Sequence, residues 1–186
     1  MENKGSFAEN YSGSLLISHP RLLDPNFRRT VVLLSAHSRE DGAVGVILNR
    51  PTNKVLGEIE DEFAFGSLAR VPIYLGGPVA SNQILLVAWT WSKEESSFKL
   101  FFGIDPDRAS ELMHNPHATV RAFQGYSGWT GGQLEVELER DSWIVSQANS
   151  RFVNDLDGYL LWKKMVADLG PKYTLEALSP EDPSFN

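Results

Sequence analysis

A chain of 186 residues with 24 acidic against 17 basic side chains carries a formal net charge of −7, which argues against a surface built to neutralise nucleic-acid phosphates. It holds no cysteine, and that removes disulfides, thiolate catalysis and cysteine-based zinc sites together. Hydrophobic residues make up 42% and charged ones 22%, so a full domain core is within reach, yet no apolar run approaches the roughly 20 residues of a membrane span.

Residues 1–12 read as a loose polar lead-in without the apolar core of a secretory signal. The chain is therefore placed in the cytoplasm, and the Asn10-Tyr11-Ser12 sequon is a chance match. Residues 13–178 form one domain, and 179–186, with two prolines, form a loose tail. Residues 14–17 (SLLI) are a short apolar strand and 20–26 a loop. Residues 30–35 (TVVLLS) are apolar at nearly every position, the mark of a strand buried on both faces. A polar turn at 37–42 joins them to the strand 43–48 (AVGVIL) in an antiparallel hairpin, and Asn49-Arg50-Pro51 ends that strand because proline cannot continue a ladder.

Residues 55–65 are acidic and weakly helical. A strand at 73–75 runs into Gly76-Gly77-Pro78, and further strands follow at 84–89 and 98–102, with Trp89 and Trp91 spaced to share one face. Asp105-Pro106-Asp107 is a helix start, with an N-cap acid, proline at the first position and acid in the first turn. That helix ends near Asn115-Pro116, and a strand at 119–123 leads into residues 125–138 (GYSGWTGGQLEVEL). Beyond Gly131-Gly132 two readings stand. Leu134, Val136 and Leu138 alternate with acids as in a strand, while the residue types and the acidic first turn suit a helix. A strand at 143–145 follows, then a helix at 157–169 with Leu160, Leu161, Met165 and Leu169 on one face, closed by Gly170-Pro171. Strands mixed with helices, without repeats, make the chain α+β.

The stretch 125–138 crowds four glycines, a tyrosine, a tryptophan, a glutamine and two glutamates, and is the densest in residues awkward as plain scaffold. Ser127 resembles a nucleophile elbow but lacks the second glycine, since Trp129 holds that place. His114 and His117 are separated by Pro116, which breaks the helix that would align them on a metal. Gly76-Gly77-Pro78 has no P-loop lysine and reads as a tight turn. No catalytic residue, metal ligand or cofactor motif emerges. Asn49-Arg50, at a strand end, is balanced between a binding role and a plain turn with a surface arginine.

Three blocks resemble the YqgE/AlgH family of bacterial proteins: residues 13–51, containing GSLLISHP, DPNFRRTVVLL and GAVGVILNRP; YLGGPV at 74–79; and the stretch 125–138. They cover most of residues 13–143 in family order, with one departure, Ala88-Trp89 where the family usually has Leu-His. The resemblance implies a strand-rich, barrel-like core flanked by helices, with mostly antiparallel pairing, and a helix over 133–140. It brings no established catalytic residues, and one branch of the family is named for transcriptional regulation of exopolysaccharide production. The expectation is a cytoplasmic regulatory or binding protein that acts, on transcription included, through a protein partner, with no cofactor, membrane span or direct nucleic-acid contact. The alternative is an enzyme acting on a small anionic or sugar-like substrate among the glycine-rich loops. In either case Asn49, Arg50, Gly76, Gly77, Tyr126, Trp129, Gln133 and Glu137 are expected to form one surface where the three breaks meet, with Arg50 the partner of an anion or carboxylate, of which Glu137 is an internal candidate. For Trp129 alone, a plug in the core is the plainer reading.

Overall fold

The unbroken apolar text of the first strands has its reason in their position. In the computed structural model, which describes residues 10–92, 97–148 and 158–178, β1 (Ser14–Ser18) lies between β2 (Val31–Ser38) and β9 (Trp143–Gln147). Leu15, Ile17, Val31 and Leu33 enter one core, and Leu16, Val32 and Leu34 enter a second on the opposite face. β3 (Gly42–Ile47) returns antiparallel to β2 as the hairpin pattern predicts, with a bulge between Leu34 and Ala36.

Nine strands form one mixed sheet in the order β4-β5-β8-β3-β2-β1-β9, with β6 and β7 branching from β8. Every pairing is antiparallel except β5 with β8. The sheet is open, its path ending at β4 and β9, so the expected barrel-like core is replaced by a branched, unclosed sheet with helices against it.

Pro51 begins a strand instead of only ending one. β4 (Pro51–Val55) is an edge strand paired with β5 (Pro72–Leu75), and proline at its first position gives up no ladder bond. The weakly helical segment after it resolves into three 3-10 turns, Leu56–Glu58, Asp61–Phe63 and Ser67–Arg70, whose buried Leu56 and Leu68 join a third core with Ala109 of α1. β6 (Val79–Ser92) and β7 (Ser97–Phe102) bring Trp91 opposite Phe98, while Trp89 is buried in the first core. α1 (Pro106–Met113) is capped as its sequence predicts, the Asp105 carboxylate accepting from Arg108 N–H at 2.8 Å.

The glycine-rich stretch is only half a loop. Through Trp129 it belongs to β8 (Ala118–Trp129), and only Thr130-Gly131-Gly132 form the turn into α2 (Gln133–Glu139). Leu134 is buried and Leu138 packs beside it, one turn on, while Val136 is 44% exposed, so the helical period overrides the alternation. In α3 (Gly158–Asp168) Leu161, Trp162, Met165 and Val166 are buried against the first core. Leu160 does not share their face: it is 64% exposed, one step around the helix from the row of Leu161 and Met165. α4 (Pro171–Ala177) completes that layer. The expected start of α3 at Asp157, the tail 179–186 and most of the lead-in lie outside the described residues. Among the described residues no helix is long and apolar enough to cross a membrane.

Candidate functional site

β8 is the strand on which the other parts meet. Along one edge it pairs with β6, and along the other with β5 through 122–124 and with β3 through 127–129. Gly76 sits where β5 runs out and β3 takes over. Its N–H donates to Gln124 O at 2.8 Å, and its carbonyl accepts from Ile47 N–H at 2.9 Å and from the Ser127 hydroxyl at 3.0 Å. Ser127 is therefore fully buried and its hydroxyl is spent inside the sheet. A Cβ on Gly76 would lie 2.2 Å from Gly125 O, and one on Gly77 2.3 Å from Tyr126 O. These glycines exist because two backbones touch.

Beyond Gly77 the surface sinks into a hollow of about 190 Å³. Asn26, Arg50, Ser81 and Gln124 supply its polar lining, and Ile47, Leu75, Gly77 and Pro78 the rest. The Arg50 Nη2 donates to Pro25 O at 3.1 Å and to Arg28 O at 3.4 Å. Burial pushes the Arg50 guanidinium below its ordinary value, the neighbouring charge of Arg28 adds to this, and Asp24 opposes it. Among the described residues no carboxylate stands at ion-pair distance from Arg50. Of the four described non-glycine residues in the left-handed region, Arg29, Asn53, Ala80 and Asp141, only Ala80 at φ 47° lies between residues that line the hollow. Asn49 lies below, buried, its Oδ1 accepting from Val31 N–H at 2.8 Å and its Nδ2 donating to Arg29 O at 2.9 Å and to Gly158 O at 3.0 Å. It clasps β2, the 25–29 loop and the start of α3.

A second centre is built at α2. The Glu137 Oε2 accepts both indole N–H groups, from Trp129 at 2.9 Å and from Trp143 at 2.7 Å, and Oε1 accepts from Gln133 Nε2 at 2.9 Å. The Gln133 carbonyl accepts from the Thr130 N–H and hydroxyl, tying the turn to the helix. Phe27 stacks on Trp129 and meets Trp143 edge-on. Both tryptophans are buried, so Trp129 is a core plug.

The eight expected residues thus divide. Arg50 and Gly77 line the hollow, with Gly76 and the Tyr126 backbone behind them, Asn49 is buried in its own hydrogen bonds, and Trp129, Gln133 and Glu137 gather at α2. The Tyr126 side chain packs on the first core, whereas Trp129, an odd number of strand positions on, enters the second. Arg50 bonds to backbone carbonyls and Glu137 to indoles, so the candidate Arg50–Glu137 pair does not form.

Sequence reasoning missed Ser81 and Gln124, which reach the hollow through the pairing of β6 with β8, and Asn26, which lies in the 25–29 loop held over it by Arg50. It also missed buried polar contacts elsewhere. His37 accepts from Tyr11 N–H at Nδ1 and faces Glu135 across 3.0 Å at Nε2, which makes Nε2 the protonated nitrogen of the neutral ring. His19 lies 3.6 Å from Glu176, and the buried Arg121 guanidinium stands over the Tyr74 ring at 4.4 Å and the Trp89 ring at 5.2 Å. No group of three potential metal ligands occurs among the described residues; His114 caps α1, with Nδ1 at 2.9 Å from Ser110 O.

A family model described as DUF179: AlgH-like matches residues 15–174. A UPF0301 protein of Parabacteroides distasonis is 36% identical over 182 residues, covering 94% of this chain and 90% of its own. A UPF0301 protein of Chlorobaculum tepidum is 35% identical, with 94% and 95% covered. The fold is also that of the solution structure of the AlgH protein from Pseudomonas aeruginosa, at a TM-score of 0.65 and 24% identity, covering 98% of this chain and 100% of that one. A crystal structure of a Corynebacterium diphtheriae protein gives 0.68 at 22% identity, covering 96% and 95%.

Proposed function

The chain belongs to the AlgH-like family, and on that footing we propose that it is a cytoplasmic binding protein that docks a protein partner on the face carrying the Arg50 hollow. The single observation behind this reading is a part-buried arginine without a carboxylate partner among the described residues, beside apolar side chains left in the open. Leu75, which lines the hollow, is 44% exposed. Arginine beside exposed apolar side chains is a combination enriched in recognition patches. At about 190 Å³ this hollow is smaller than the roughly 300–1,000 Å³ of sites that enclose small substrates, so it suits a group presented by a partner, whereas the shallower hollow of about 490 Å³ over the turn at 130–133 falls within that range. Any effect on transcription passes through that partner, because the net charge of −7 gives DNA phosphates little to hold.

A photo-cross-linking side chain at position 75 tests the docking. It should yield one adduct that unlabelled protein competes away and that Arg50→Ala protein does not, with a nearly unchanged melting temperature for that variant. Failure to form such an adduct removes the proposal. A gel shift at physiological salt that retains a defined duplex at sub-micromolar protein would contradict the indirect route.

A further inference from the structure

We infer that the Arg50 hollow reads one carboxylate, carried on the aliphatic stem of an acidic side chain of the docked partner; this deepens the docking role above and rests on it. The chain has 24 acids and 17 bases, yet none of its described carboxylates comes to Arg50. Instead Nη2 is held by the neutral carbonyls of Pro25 and Arg28, which fix the guanidinium without cancelling its charge. The neighbouring Arg28 adds to the positive potential, and Asp24, farther than ion-pair distance, offsets part of it. A cation partly withdrawn from water and only partly compensated carries a desolvation cost, and an incoming anion recovers some of it.

The size and lining of the hollow select the anion. Its 190 Å³ or so holds about six water-sized groups, enough for a carboxylate and two methylenes but not for a nucleotide or a sugar. Ile47, Leu75 and Pro78 suit the stem, while Asn26 and Ser81 stand ready for an oxygen that Arg50 does not take. Arg50 is the one cation in the lining, which matches a singly charged group. A phosphate, with a charge near −1.5 to −2, is usually met by a cluster of arginines. Gly77, pressed onto the Tyr126 carbonyl, and the left-handed Ala80 set the wall opposite the 25–29 loop, so the hollow is shaped before anything enters.

The test is amide and guanidinium NMR of the full chain titrated with N-acetylglutamate α-amide, its glutamine counterpart, N-acetylglycine and inorganic phosphate. The blocked glutamate should shift the Gly77, Ser81 and Gln124 amides and the Arg50 Nε–H signal at about 1–10 mM, and the glutamine counterpart should bind at least about tenfold more weakly. Arg50→Gln should abolish the shifts. Because Arg50 also holds the 25–28 loop, Leu75→Glu provides a second variant: it leaves Arg50 in place, supplies an internal carboxylate and should block the probe. Equal binding of the glutamine counterpart, tighter binding of phosphate or N-acetylglycine, or no shifts up to about 50 mM would each overturn the inference. The two readings fail separately. A cross-link at position 75 that persists while the probes stay silent keeps the docking face and removes its carboxylate specificity; probe binding without a cross-link removes the partner.

Discussion

Removing the Glu137 carboxylate strips three hydrogen bonds at once, and two of them come from indoles that have nowhere else to turn. Trp129 and Trp143 are 5% and 4% exposed, so in Glu137→Ala both N–H groups lose their charged acceptor inside the second core. Leaving a buried donor unsatisfied costs about 1–3 kcal/mol, and partial entry of water into the gap lowers the sum, so the expected loss is about 3–4 kcal/mol. For a chain of this size that corresponds to a melting temperature lower by about 6–16 °C. Glu137→Gln keeps an acceptor of the same shape but not its charge. Exchanging two charge-assisted bonds for neutral ones should cost about 1–2 kcal/mol. Calorimetric melts and urea titrations of both variants, read together with tryptophan emission, give the measurement, and Glu137→Ala should shift the emission to the red. If Glu137→Ala lay within about 0.5 kcal/mol of the parent, as a surface substitution does, the carboxylate would not be holding the indoles and the account of α2 would fall.

Asn49→Ala should cost about 2–4 kcal/mol by urea denaturation and speed hydrogen exchange at the Val31 amide, because the buried side chain satisfies that N–H and two carbonyls; unchanged protection at Val31 would refute the clasp. His19 is pushed below its ordinary value of 6.5 by burial, with Glu176 opposing, so the unfolded chain takes up its proton first. Stability from this group is therefore complete above about pH 6.5 and declines on acidification until the folded-state value is passed, and His19→Gln should flatten that part of the stability–pH curve. An unaltered slope would show that His19 contributes nothing. Ser127 should stay unlabelled by a fluorophosphonate probe, since its buried hydroxyl donates to Gly76 O, and Ser127→Ala should cost about 1 kcal/mol. Covalent labelling at Ser127 would refute this.

The elements read correctly from the sequence are those whose signal is local. Asp105-Pro106 carries its own cap, and the runs at 30–35 and 43–48 carry their own periodicity. Residues 125–129 read as a loop because glycine weakens a strand, yet they are a strand because β6 and β3 pair with them from far away in sequence. The barrel expected from the resemblance failed for a related reason: closure depends on edge pairing, which no single segment encodes. Of the candidate site, the breaks at Arg50 and Gly77 were visible as breaks. That Arg50 would bond to Pro25 and Arg28, and Glu137 to two indoles, depended on which loop lay over which strand end.

The central position of β8 sets a timetable for synthesis. β2 and β3 leave the ribosome early, but the strand that pairs with β3, residues 127–129, is about 80 residues behind, and the partner of β1 later still, with Ser14 opposite Gln147. At about 5–20 residues per second, Leu34 waits about 5–20 s before Trp129 has been made. Through that interval β1 and β2, apolar on both sides, have neither complete edges nor covered faces. The nascent chain thus spends seconds with the apolar faces and open edges of residues 14–47 uncovered, the kind of exposure that makes incompletely folded chains prone to aggregate.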